Sequence, residues 1–323
     1  MRKFVQLCLS AATTITMLTA FATEAGAATS FPFRDIQNSF AKSQILDLYN
    51  RGIIGGDGNG YFRPTQQITR AEFATMLLKA KGIPAPSADS YEGTFRDVPR
   101  GEWFTPYAEA SYRLGVTSGK GTGLFQPSDH LTREEMVKMA VNALGRDSET
   151  ARHLSYAAYS SAINNFADRG TISSWAVKPL AYAIQQGMLS GRSANEIKPQ
   201  DTATREEVVA FLSRSLVPHP KGTNLIPVSR GNLPFFDKKG AVATAYTHSG
   251  ALSSIGLQVR EGLVAVDPAQ IPLGSHLYIP GYGYGIAGDT GGDIKAARVD
   301  LFKDSYTAAI QFGRQDVNVF VID

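Results

Sequence analysis

Three aspartates near the end of the chain are the residues best suited to do chemistry. Asp267 opens an Asp-Pro turn, Asp289 lies in Asp-Thr-Gly-Gly, and Asp300 stands between Val299 and Leu301, where a carboxylate is unexpected. Each also has an ordinary reading, because Asp-Pro and Asp-Thr-Gly are common turn pieces and Asp300 could pair with Arg298 or Lys303. The chemistry open to them is acid cleavage of a glycosidic bond. That reaction needs a carboxyl still protonated near neutral pH, and apolar neighbours and a second carboxylate both raise its pKa. Asp300 with Asp289 brought close would supply this and would titrate as a pair. His248 and His276 are isolated, so no metal or other cofactor is expected.

A second set of charges recurs upstream. Thr69-Arg70-Ala71-Glu72, Thr132-Arg133-Glu134-Glu135 and Thr204-Arg205-Glu206-Glu207 are three copies of one signature. Six residues before each arginine stand Pro64, Pro127 and Pro199; fourteen before stand Gly56, Gly119 and Gly191; thirty before stand Phe40, Trp103 and Trp175. Asp35, Asp97 and Asp168 each follow a phenylalanine two residues back. Fixed offsets in three copies mark a repeat architecture. Thr-x-x-Glu is a capping box, so threonine and glutamate have structural duties. A cation in the first helical turn opposes the helix dipole. The arginines therefore suit either an anionic ligand or a salt bridge to Asp35, Asp97 or Asp168.

The elements that must position these groups differ between the two halves. Each repeat predicts a helix, a turn and a second helix: Ile45, Leu48 and Tyr49 share one face, and Phe73, Met76 and Leu77 share another. Residues 217–240 hold Pro218, Pro220, Pro227 and Pro234 and predict a stiff linker. Beyond it the pattern alternates. Strands are expected at 242–246, 263–266, 277–279 and 317–322, with a helix from about Ser305 to Phe312 closed by Gly313. Gly281, Gly283, Gly285 and Ala287 fall on one face and lead to Asp289, while Tyr282, Tyr284 and Ile286 fall on the other. A small closed barrel is expected.

Of the 323 residues, 43% are hydrophobic and 19% charged, for a net charge of +3. This excludes a disordered tail or a highly charged scaffold, and no basic stripe suggests nucleic acid. Arg2 and Lys3 precede an uncharged stretch, 4–21, and Ala25-Gly26-Ala27. That order reads as a secretory signal peptide, removed with Cys8, and no membrane anchor is expected in the mature form. Residues 28–240 carry 25 basic and 20 acidic side chains, and 241–323 carry 5 and 8, as suits a basic anchor joined to an acidic domain. The expected organisation is 1–27 signal peptide, 28–90, 91–150 and 151–216 repeats, 217–240 linker and 241–323 barrel.

The repeat motifs together resemble the S-layer homology domain in three tandem copies. The resemblance implies a multidomain fold with an all-α, pseudo-trimeric helical prism that binds anionic secondary cell-wall polysaccharide in grooves between repeats. By motif position, the groove residues it implies are Asp35, Gly56 and Arg70; Asp97, Trp103, Gly119 and Arg133; and Asp168, Trp175, Gly191 and Arg205. Phe40 departs from the usual tryptophan, Ile197 from the phenylalanine of Phe-x-Pro, and the third copy follows a longer insertion that contains His153 to Asn165.

Thr244-Ala245-Tyr246, Val264-Ala265-Val266-Asp267-Pro268, Ile271-Pro272-Leu273-Gly274, Asp289-Thr290-Gly291-Gly292 and Val299-Asp300-Leu301 resemble the 3D domain, a mainly-β double-psi β-barrel. That resemblance implies a peptidoglycan lytic transglycosylase cleaving the MurNAc–GlcNAc β-1,4 bond. Asp300 matches its general acid/base, and Asp289 and Asp267 its supporting aspartates. Ala296 stands where relatives carry glycine, and Ser253-Ser254-Ile255-Gly256 where they carry Thr-x-x-Gly. A glycan-binding barrel that does not cut and a glycoside hydrolase are the rival readings.

Overall fold

The computed structural model describes residues 32–85, 92–145, 148–216, 224–228, 231–247 and 252–322. The expected signal peptide, Cys8 and His248 lie outside them. Each repeat supplies two helices: α1 (Lys42–Asn50) and α2 (Arg70–Ala80), α3 (Thr105–Arg113) and α4 (Arg133–Asn142), then, after the short α5 (Ser148–Arg152) and α6 (Tyr156–Ile163), α7 (Val177–Gln185) and α8 (Arg205–Ser215).

All three capping boxes form. Thr69, Thr132 and Thr204 accept from the backbone N–H of Glu72, Glu135 and Glu207, whose carboxylates reach back to the threonine N–H. Two N–H groups at each helix start are thereby satisfied. The three caps also meet one another in a ring. Ile68 N–H donates to Ala203 C=O at 3.0 Å, Ala203 to Leu131 at 2.9 Å, and Leu131 to Ile68 at 3.2 Å. The apolar faces converge beneath this ring, with Phe73, Leu77, Met136, Val137, Val208 and Phe211 buried.

The described part of the proline-rich stretch expected as a stiff linker forms strands. β1 (Asn224–Val228) pairs antiparallel with β2 (Gly231–Phe235). Both strands are edges of a two-stranded sheet, where Pro227 and Pro234 leave no central ladder broken. β3 (Asp237–Tyr246) then starts the barrel before the expected boundary at 241.

β4 (Leu263–Val266), β5 (His276–Ile279), β6 (Gly283–Asp289), β7 (Arg298–Phe302) and β8 (Gln315–Val321) complete it. Among the described residues the six strands close in the order β3-β7-β4-β6-β5-β8. β3/β7 and β4/β6 are parallel; the other pairs are antiparallel. Ala243, Val264, Val266, Leu277, Ala287, Val299, Leu301 and Val319 fill the interior. α9 (Tyr306–Phe312) is capped by Ser305 and ended by Gly313 at φ +62°, as the sequence predicts.

The barrel packs on the repeats. Tyr284 and Ile322 belong to the repeats' apolar core. Arg113, on α3, donates from Nε to Tyr284 C=O at 2.8 Å and from Nη2 to Tyr282 C=O at 2.6 Å, and it pairs with Glu92 and Glu261. Arg260 lies over the Tyr112 ring at 4.2 Å.

Candidate functional site

Period-two alternation would put Asp289 on the interior face with Ala287. The structure does otherwise. Leu263 pairs with Ile286 and Val264 with Ala287, but Ala265 pairs with Asp289. Gly288 is the extra residue of a β-bulge, which shifts everything beyond it to the opposite face. A Cβ at Gly288 would collide with Leu263. The bulge turns Asp289 outward, away from the face that carries Ala287.

Ala265 also pairs with Asp300, which in turn faces Thr244 across the β3/β7 ladder. Asp289 and Asp300 therefore flank one small side chain from either side, about 10 Å apart at Cα, or two strand spacings. Ala265 leaves the floor between them low.

Asp300 is half-buried. Thr244 Oγ1 donates to its Oδ1 at 2.8 Å. Burial raises its pKa, more strongly than the Thr244 and Leu301 hydrogen bonds lower it. Asp289 is held by Ser254, whose N–H and Oγ donate to Oδ1 at 3.1 and 2.7 Å, and by the Thr290 N–H at 2.9 Å. Tyr246, edge-on to Phe302, has its phenol pKa pushed up by burial and then by both Asp289 and Asp300. Thr244 appeared in the sequence only as a motif letter; its place beside Asp300 depends on the parallel β3/β7 pairing, which no local pattern announces.

Asp267 follows the end of β4, two residues beyond Ala265. Its Oδ2 accepts from Ala296 N–H at 2.7 Å and its Oδ1 from Ala269 N–H at 3.1 Å. These backbone donors hold its pKa below the usual carboxylate range. It clamps the loop that joins Asp289 to Asp300. Ala296, at φ +55°, occupies a left-handed conformation that glycine takes more readily. His276 is buried in the barrel wall.

In the repeats the expected groove residues divide into two kinds. Asp35, Asp97 and Asp168 each accept two successive backbone N–H groups: Phe62 and Arg63, Phe125 and Gln126, Ile197 and Lys198. Gly56 admits the Phe33 ring, which a Cβ would approach to 2.5 Å; Gly119 and Gly191 stand likewise against Phe95 and Phe166. These residues build turns, and Gly119 also lines an open cleft.

The arginines are buried and lock the copies in a cycle. Arg70 reaches Glu135 at 3.3 Å, Arg133 reaches Glu207 at 3.4 Å, and Arg205 reaches Glu72 at 2.6 Å. Their partner is the next copy's capping glutamate, not the repeat's aspartate. The surface groups are the aromatics: Phe40, Trp103 and Trp175 are 66%, 59% and 42% exposed.

Interlocked helical repeats joined to a closed barrel make this a multidomain protein of repeat-and-barrel type. The family comparisons name the parts. Residues 32–74, 94–137 and 165–209 match the S-layer homology domain, and residues 262–323 match the 3D domain. The chain carries three S-layer homology domains followed by a 3D domain, and these repeats indicate a cell-surface or cell-wall location.

Among curated relatives, it is 34% identical over 183 residues to "Exoglucanase XynX" of Acetivibrio thermocellus, covering 57% of this chain and 16% of that one. It is 29% identical over 182 residues to "Surface-layer 125 kDa protein" of Lysinibacillus sphaericus, covering 55% and 14%. The chain thus spans less than a fifth of these relatives' length. Among solved structures it is similar to a lytic transglycosylase, LtgG, of Burkholderia pseudomallei (24% identity, 23% of this chain and 26% of that, TM-score 0.20). It is also similar to MltA from E. coli (20%, 24% and 28%, TM-score 0.21).

Proposed function

We propose that the chain is a wall-anchored peptidoglycan lytic transglycosylase. Its S-layer homology trio, an all-α pseudo-trimeric prism, binds secondary cell-wall polysaccharide, and its double-psi barrel cuts glycan strands. The observation that carries this reading is Asp300. It is a half-buried carboxyl with a raised pKa, oriented by Thr244 and set across Ala265 from Asp289 on the outer face of the barrel. Burial keeps such a group protonated to higher pH, as a general acid requires.

Asp300 protonates the oxygen leaving from MurNAc C1 as the glycosidic bond breaks. Asp289 provides negative charge near the developing oxocarbenium ion. The ionised Asp300 then takes the proton from the MurNAc C6 hydroxyl as O6 bonds to C1. This closes a 1,6-anhydro ring and restores the acid. Asp267 keeps the connecting loop in place. Attachment through the repeats raises the local concentration of substrate.

The test is incubation of the chain with purified peptidoglycan and mass spectrometry of the soluble fragments. Anhydro-muropeptides are expected. Reducing ends would assign a hydrolase, and no release would leave a glycan-binding barrel.

A further inference from the structure

An open cleft of about 1190 Å³ lies between the second and third repeats, and the barrel closes one side of it. Lys120, Lys138, Arg152 and Lys178 line it, and among the described lining residues the one carboxylate, Glu135, pairs with Lys120 and Arg70. Trp175 opens its ring to the cleft, with Lys138 Nζ 4.8 Å from the ring centre. Burial and the charge of Arg152 both push the Lys138 pKa down, and the charge of a bound anion would act against both.

The arginine cycle is also imperfect here. Arg205 Nε donates to Phe62 C=O at 2.8 Å and Arg133 Nε to Ile197 C=O at 3.0 Å. Arg70, which lines this cleft at 3% exposure, has no hydrogen-bond partner at Nε among the described residues. A buried guanidinium N–H left unsatisfied is costly, and it marks Arg70 as the arginine of the cycle that is least fully bonded to its own neighbours. The barrel supplies Leu252 and residues 255–258 as the facing wall.

We propose that this cleft is one composite site for an anionic saccharide, in which the barrel segment 252–258 forms a wall beside Trp175, Lys138 and Arg70. The inference rests on the wall-anchoring reading and extends it. The polymer that holds the protein touches the barrel itself, on the segment that fixes Asp289. Ser254 donates to that aspartate, and the Ile255 N–H donates to Gly288 C=O at 3.3 Å. Filling the cleft therefore steadies the bulge and its carboxylate.

Calorimetric titration of the full chain with secondary polysaccharide purified from Gram-positive walls tests this. Leu252→Glu adds a like charge at a 61% exposed position, and it should weaken binding about tenfold, or 1.4 kcal/mol, with thermal unfolding unchanged. Trp175→Ala should weaken it similarly. In the unaltered chain, bound polysaccharide should slow amide exchange at 253–258 and 289–290. Full binding by Leu252→Glu beside weakened binding by Trp175→Ala would confine the site to the repeats and overturn this inference alone. Unslowed exchange in the barrel segment would overturn it too. No binding by the unaltered chain would remove the anchor reading and this inference together.

Discussion

Asp289 and Asp300 stand in register with the same residue, Ala265, one from each neighbouring strand. A single inserted residue, Gly288, gives them a common face. The arrangement ties two carboxylates to one rigid strand rather than to loops, so their spacing is set by sheet geometry.

The acid can be tested by its pH limb and by stability together. Asp300→Asn should lower glycan release about 100-fold or more. Burial has raised the folded-state pKa of Asp300. The folded chain therefore holds this proton more tightly than the unfolded chain. Its contribution to stability is fully present below the unfolded pKa near 3.8 and is lost as pH rises through the folded value. Asparagine removes that loss, so the variant should melt higher than the unaltered chain at pH 7. A lower melting temperature would show that the carboxylate is structural.

Thr244 lowers the Asp300 pKa through its hydrogen bond. Thr244→Val should raise it. The alkaline limb of the rate profile, where the acid loses its proton, should then move to higher pH. Measurement of kcat/KM from pH 4 to 9 checks the direction. An unmoved limb would detach Asp300 from proton donation.

Ala296→Gly should stabilise the barrel by about 0.5 kcal/mol. It relieves a left-handed alanine, at the cost of greater chain entropy when unfolded. Denaturant titration measures it. A loss of stability would mean that the methyl group makes a useful contact.

Arg205→Ala should destabilise the chain by about 3 kcal/mol, since it strands Glu72 and two carbonyl groups in a largely buried setting. Arg51→Ala, which removes an exposed helix pair with Asp47, should change stability by less than about 0.5 kcal/mol. Comparable effects from the two would contradict the interlocking role of the arginine cycle.

Local patterns were readable where the physics is local. The capping boxes at Thr69, Thr132 and Thr204, the α9 stop at Gly313 and most barrel strands follow from spacing of a few residues. The outward turn of Asp289 was not readable, because alternation carries Ala287 and Asp289 to one face until a bulge intervenes. The arginines gave no sign of their partners. Arg205 and Glu72 are 133 positions apart and meet only when three copies close on one another. Asp267 was grouped with the other two aspartates by resemblance, and its bonds from the Ala296 and Ala269 N–H groups became visible only in the fold.

Arg113 reaches from α3 into the barrel, and Tyr284 and Ile322 complete the repeats' own core. The barrel is consequently mounted rather than leashed. On the proposed function, a glycan strand would therefore meet its outer face at one fixed height and heading relative to the repeats.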